Sequence, residues 1–355
     1  MESKKYSVKK MLCIVLILGM LTFVFSSSVF AQAEYKWRFG VPWSRDLQNE
    51  SMQLFCDLVK LYSDGKMEIK LYPNGALGTH DEIFHGVQEG SIEVGIFSPY
   101  VNLVPGGMLN WMPWTIESYD QSAVAFNSPD GILFKVMSKA WEEVGCHFLF
   151  VGLEGPYGIG NNVRPIKTPD DFKNLKMRVS SSLGFVKALQ NMGAGTGMTV
   201  ATIPWADLYN ALERGVVDGC WSLWSSMVEE RHFEVLKYYT GLGWSWGTNN
   251  IVVCKEKWDE LPADIQEAMI KAGKVAEIRE YEVHRRADAD FKKIIADGGV
   301  EIYYPTPEER ELFREKAGMP AIWEELCKPW LEKQYPGENM TQTVLDELER
   351  IHNAY

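Results

Sequence analysis

From about Ala263 to about Asp297 the helical pattern runs almost unbroken, through ADIQEAMIKAGKVAEIREYEVHRRADADFKKIIAD. At 1.5 Å per residue that is roughly 50 Å of rod, about three times an average helix. A helix of that length overruns one small lobe, so the expected fold has two lobes that share it. A coiled coil fits less well, because the charges are mixed and no sustained a/d heptad is visible.

Ahead of that helix the chain alternates between strand and helix patterns. YKWRFGVPW opens as a strand, and LQNESMQLFCDLVKLYSDG follows as an amphipathic helix closed by Gly65. MEIKLYP is a strand, HDEIFHGVQEG a helix and SIEVGIFS a strand. Such βαβ units predict an α/β sheet with ligands at the carboxyl ends of its strands. A second block starts near Gly155. KTPDDFKNL is a capped helical turn, and LKMRV alternates as a half-buried strand. IPWADLYNALERG has Pro204 at its start and Gly215 past its end, which marks a helix, and TNNIVVC is another strand. The expected boundaries are 34–155 with about 244–283 for the first lobe, and 156–243 with about 284–355 for the second.

Residues 1–33 stand apart. Lys4, Lys5, Lys9 and Lys10 precede the apolar MLCIVLILGMLTFVF, and Ala31-Gln32-Ala33 offers a small-x-small cleavage site. The apolar run is shorter than the ~20 residues of a spanning helix, so a cleavable signal peptide is expected rather than an anchor. Cys13 lies too early to be a lipoprotein cysteine. Removing this segment takes four lysines and one glutamate from a net charge of −12, leaving 322 residues at −15. That surface repels nucleic acid and anionic membranes. It still permits an anion held by a buried arginine, because surface charge is screened beyond ~8–10 Å. Cys56, Cys146, Cys220, Cys254 and Cys327 remain, an odd number at wide spacings with no C-x-x-C. Buried free thiols are expected, with one disulfide left open.

Motifs for chemistry are missing from the sequence. There is no G-x-S-x-G, H-E-x-x-H, P-loop or G-x-G-x-x-G, and GAGTGM at 193–198 is a turn. His80 and His85 are five apart, which does not stack them on one helical face for a metal. The expectation is a protein without cofactor or catalysis. Thirteen tryptophans are more informative. Trp43, Trp111, Trp114, Trp205, Trp221, Trp224, Trp244 and Trp246 lie near loops or strand ends, some placed to wall a ligand cleft and the rest to fill cores. Trp205, at a helix start, is the foremost of them. Arg178, in LKMRV, has two readings on its residues alone: a solvated arginine on the polar face, or a fixed charge beside a helix N-terminus where an anion would sit.

At KTPDDFKNLKMRVSSS and TIPWADLYNALERGVVDG the chain resembles the substrate-binding proteins of tripartite ATP-independent periplasmic (TRAP) transporters, the DctP-like family. LYPNGALG, VQEGSIEVGI and KEKWDELPADIQEAM agree, so the resemblance covers about residues 36 to 335. It implies a two-lobe periplasmic binding protein fold, with crossing strands and a long helix spanning both lobes. It implies capture of a small organic acid, carboxylate or sulfonate, and delivery to membrane permease subunits, without membrane insertion of the mature periplasmic chain. By the family pattern Arg178 pairs with the acid and Trp205 packs on it. Ser222 beside Trp221, Ser98, Trp43 and, less directly, Asn249 complete the expected site. One departure matters: the second arginine of many members falls on Gly158 here, with Tyr157 adjacent, so a more aromatic lining is expected. Arg164, in the R-P-I element, is read as structural. Other readings are a binding protein for an ABC importer or a sensor, and an exported enzyme acting on a small acid.

Overall fold

The computed structural model describes residues 33–101 and 103–355, so the expected signal peptide lies outside the described residues apart from Ala33. Strand β1 (Tyr35–Gly40) buries Trp37 and Phe39 and exposes Lys36 and Arg38, the alternation of a strand with one face on a core. It pairs in parallel with β2 (Met67–Tyr72) and β3 (Val94–Phe97). Next come β4 (Cys146–Asn161), β5 (Lys176–Val179), β6 (Thr199–Thr202) and β7 (Gly219–Leu223). The last strands are β8 (Tyr238–Thr240), β9 (Trp246–Cys254) and β10 (Glu301–Tyr303). Their main order is β2-β1-β3-β9-β4-β7-β5-β6, with β8 on β4 and β10 on β8.

Two strands join the halves. β9 runs antiparallel between β3 and β4, and all nine of its residues are buried, as a central strand covered on both faces requires. β4 is 16 residues long: Cys146–Pro156 pair with β9, whereas Tyr157–Asn161 pair with β7 and β8. The change of partner follows a register shift between Leu153 and Gly155. Gly155 sits at φ 114°, where a Cβ would lie 2.5 Å from the Tyr119 hydroxyl, so the strand can bend there only with glycine.

The long helix is Ala263–Asp297, 35 residues, as the sequence pattern foretold. Ile265, Met269, Ala272 and Ala276 enter the core formed with Phe39, Phe55 and Ile251, while Phe291 and Ile295 enter a separate core with Leu212, Trp224 and Tyr239. One rod therefore belongs to both lobes. The C-terminal helices pack against elements of both halves. Helix Lys328–Gln334 sends Trp330 Nε1 to Glu143 at 2.9 Å, and His352 of helix Met340–Ala354 lies 3.3 Å from the Gln121 amide.

Local signals held where capping chemistry set them. Thr79 and Glu82 form a capping box at the start of helix His80–Gln88, and the Asp171 carboxylate accepts the Thr168 N–H at 2.8 Å in the turn before β5. The five cysteines among the described residues are all buried and free, so the disulfide left open by their number is not formed. No helix of the described residues is long and apolar enough to cross a membrane.

Candidate functional site

Residues from both halves line a cleft of about 1000 Å³. Most lie where strands end: Pro42–Arg45 after β1, Ser98 and Tyr100 after β3, Ser180 and Ser181 after β5, and Thr202–Asp207 at and after β6. This is the carboxyl-end placement expected of an α/β sheet.

Arg178 is not on a solvated face; it is 1% exposed. The parallel pairing of β5 with β6 brings Ile203 alongside, and its carbonyl accepts both Nε (2.8 Å) and Nη2 (2.6 Å) of Arg178. The guanidinium lies over Trp205 (5.2 Å) and Trp221 (5.4 Å). Nη1 is buried without a partner, and among the described residues Arg178 makes no salt bridge. Burial lowers its pKa from the ordinary value, the sign of a charge short of compensation.

A second arginine, which carried no motif, comes from the loop after β1. Arg45 is 5% exposed and pairs through Nη1 with Glu154 of β4 and through Nε with Glu230 at 2.8 Å. Burial is the largest single influence and opposes its charge, but Glu230, with Tyr157 and Glu229 adding to it, turns the net shift upward. Its guanidinium also stands over Trp43 (4.9 Å) and Trp205 (5.6 Å), and Glu230 accepts the Trp205 indole N–H as well. Trp205 thus lies near both guanidinium groups and is tied to the carboxylate that pairs with Arg45. Removing one partner of such a buried group costs about 3–5 kcal/mol.

The residues named from sequence divide. Trp43, Ser98, Tyr157, Arg178, Trp205 and Trp221 all line the cleft. Ser222 and Asn249 do not. Side chains alternate along β7, so Trp221 faces the cleft and Ser222 turns away, its hydroxyl 3.2 Å from His232 Nδ1. Asn249 lies behind Ser98, accepting its hydroxyl at 3.1 Å. Of the other tryptophans, Trp111 joins the cleft wall, while Trp114, Trp224, Trp244 and Trp246 are buried core residues. Gly158 could not carry a cleft-facing side chain: a Cβ there would lie 2.5 Å from the Thr240 carbonyl and from Tyr239. Tyr157 is the residue of that segment that reaches the cleft, and its ring packs edge-on to Trp221 at 4.2 Å.

Sequence reasoning missed Arg45, Glu154, Glu229 and Glu230. The signal available was a charged residue two positions after Trp43 in a loop that leaves a strand, and paired glutamates closing helix Trp224–Glu229. His80 also lines the cleft, with Nδ1 2.9 Å from Asp81 and Nε2 3.2 Å from the Ser98 carbonyl. Behind the wall, Glu280 of the long helix is fully buried and its pKa is pushed up to about 8 by burial. No group of three or more metal-ligating side chains occurs among the described residues.

The DctP family model, bacterial extracellular solute-binding protein family 7, matches residues 41–328. The chain is 26% identical over 306 residues to the 2,3-diketo-L-gulonate-binding periplasmic protein YiaO of Escherichia coli, covering 82% of this chain and 87% of that one. It is also 26% identical over 282 residues to the C4-dicarboxylate-binding periplasmic protein DctP of Rhodobacter capsulatus, covering 78% of each. Among solved structures it is similar to a TRAP periplasmic solute-binding protein of Sulfitobacter sp. NAS-14.1 with bound β-D-galacturonate. That similarity has a TM-score of 0.74 at 25% identity and covers 89% of this chain and 99% of the other.

Proposed function

Because the chain belongs to the DctP family of TRAP solute-binding proteins, we propose that it captures a small organic acid in the interlobe cleft and delivers it to membrane permease subunits. The observation that carries this is Arg178: a fully buried guanidinium, fixed on one carbonyl, with Nη1 unpartnered. A planar guanidinium offers a carboxylate or sulfonate directional, charge-assisted hydrogen bonds. Trp205 and Trp221 hold its plane, and Ser180 and Ser181 add hydroxyls and strand-end N–H groups beside it.

The binding step is closure of two lobes. Arg45 belongs to the loop after β1, whereas Trp205 and Glu230 belong to the other half, so a ligand touching both sides favours the closed form. Closure excludes water, which strengthens the hydrogen bonds to Arg178. The protein holds its ligand without turning it over and acts in the periplasm after removal of a signal peptide. Calorimetry of residues 34–355 against small carboxylates, sulfonates and neutral sugars tests this. Acids should bind and Arg178→Ala should weaken them at least a hundredfold; binding confined to neutral compounds would refute the role of Arg178.

A further inference from the structure

The charges of the cleft do not suit a simple anion. Its wall holds two buried arginines and three glutamates, Glu154, Glu229 and Glu230. Arg45 is consumed by Glu154 and Glu230. At the rim Asp81 has His80, Glu82 accepts the Thr79 N–H at 2.8 Å, and Asp207 is exposed to solvent. Two groups are left over, and they are of opposite sign. Arg178 has no carboxylate and a buried, unpartnered Nη1. Glu229 has no cation among the described residues: Oε1 accepts the Leu47 N–H at 3.2 Å, and Oε2 is buried without a partner.

On the reading that the cleft takes an organic acid, we propose that this acid is a zwitterion, its carboxylate on Arg178 and a cationic nitrogen on Glu229. A plain anion would satisfy Arg178 but leave Glu229 orphaned in a closed, water-poor cleft. A dianion would add repulsion between its second charge and that carboxylate. A protonated amine supplies the missing donor and neutralises the site. The aromatic wall of Trp43, Trp111, Trp205, Trp221 and Tyr100 suits it, because indole and phenol faces attract cations. Burial already raises the Glu229 pKa above its ordinary value, so a cation beside it relieves a cost the empty cleft carries. Glu229 is then the residue that selects zwitterions from other acids.

The test is a thermal-shift and calorimetric comparison on the dialysed protein, using cyclic and linear amino acids and betaines beside isosteres lacking the nitrogen. Proline against tetrahydrofuran-2-carboxylate is one such pair. Zwitterions should bind, their isosteres at least tenfold more weakly, and Glu229→Gln should close most of that gap. Isosteres binding within threefold, hits among simple acids alone, or no hit in either half overturns the zwitterion assignment. If simple acids bind and Arg178→Ala abolishes that binding, the organic-acid reading survives the failure. If hits ignore Arg178→Ala, both fall. Should the Gln variant unfold, the isostere comparison on the unaltered protein still decides.

Discussion

Replacing Arg178 with methionine should leave stability nearly unchanged while it cripples binding. Methionine roughly conserves the apolar stem while deleting the charge over Trp205 and Trp221, which no carboxylate opposes in the empty cleft. An uncompensated buried ion costs several kcal/mol. Its two hydrogen bonds to the Ile203 carbonyl and two cation–π contacts offset that cost, at about 1–3 kcal/mol per hydrogen bond and ~0.5–2 per cation–π contact. Ile203 is only partly buried, so its carbonyl can turn to water once the guanidinium is gone. The two sides are of similar size, so the unliganded variant should melt within a few degrees of wild type. Ligand binding should meanwhile lose about 2–5 kcal/mol, thirtyfold to several thousandfold, because the charged partner is absent. Unfolding of dialysed wild-type and variant protein, with and without ligand, reads both quantities. A variant that binds within threefold of wild type, or that melts well below it, would make Arg178 a structural residue and sink the anchor role.

Glu280→Gln should change how stability depends on pH. The Glu280 pKa is raised from 4.5 to about 8, so the folded state holds its proton more tightly than the unfolded one. Its contribution is full below about pH 4.5, declines as pH rises to about 8 and then levels, a loss of ~3 kcal/mol by pH 7. The glutamine variant should lack that decline in denaturant titrations at pH 5, 7 and 9. His284 and His232 act oppositely: burial lowers them to about 4 and about 3, so their contribution is present above pH 6.5 and is lost on acidification. Arg45→Ala should destabilise by about 3–5 kcal/mol, since Glu154 would be left buried and unpaired, and unfolding midpoints report it. Gly158→Ala should cost about 1–3 kcal/mol or more by forcing β4 away from Thr240 and Tyr239, with a lowered Tm as the readout.

The long helix, the βαβ order and the strand-end loops were legible in the sequence because each depends on periodicity within one element. Capping at Thr168 was legible for the same reason, its partner lying three residues on. Arg178 and Trp205 stood out through family motifs, and alternation alone would have left Arg178 in solvent. Its burial is decided by Ile203, 25 residues on, which the pairing of β5 with β6 brings to the guanidinium. The tertiary structure also decided the charge balance of the cleft. Arg45 meets Glu154 and Glu230 across 109 and 185 residues, because β4 passes from one sheet to the other and the long helix locks both halves. Ser222 and Asn249 left the site for hydrogen bonds behind it, with His232 and Ser98. Local pattern determines which residues form an element and which face they share. Which charges cancel, and which remain for a ligand, depends on distances between elements far apart in the chain, and only packing sets those.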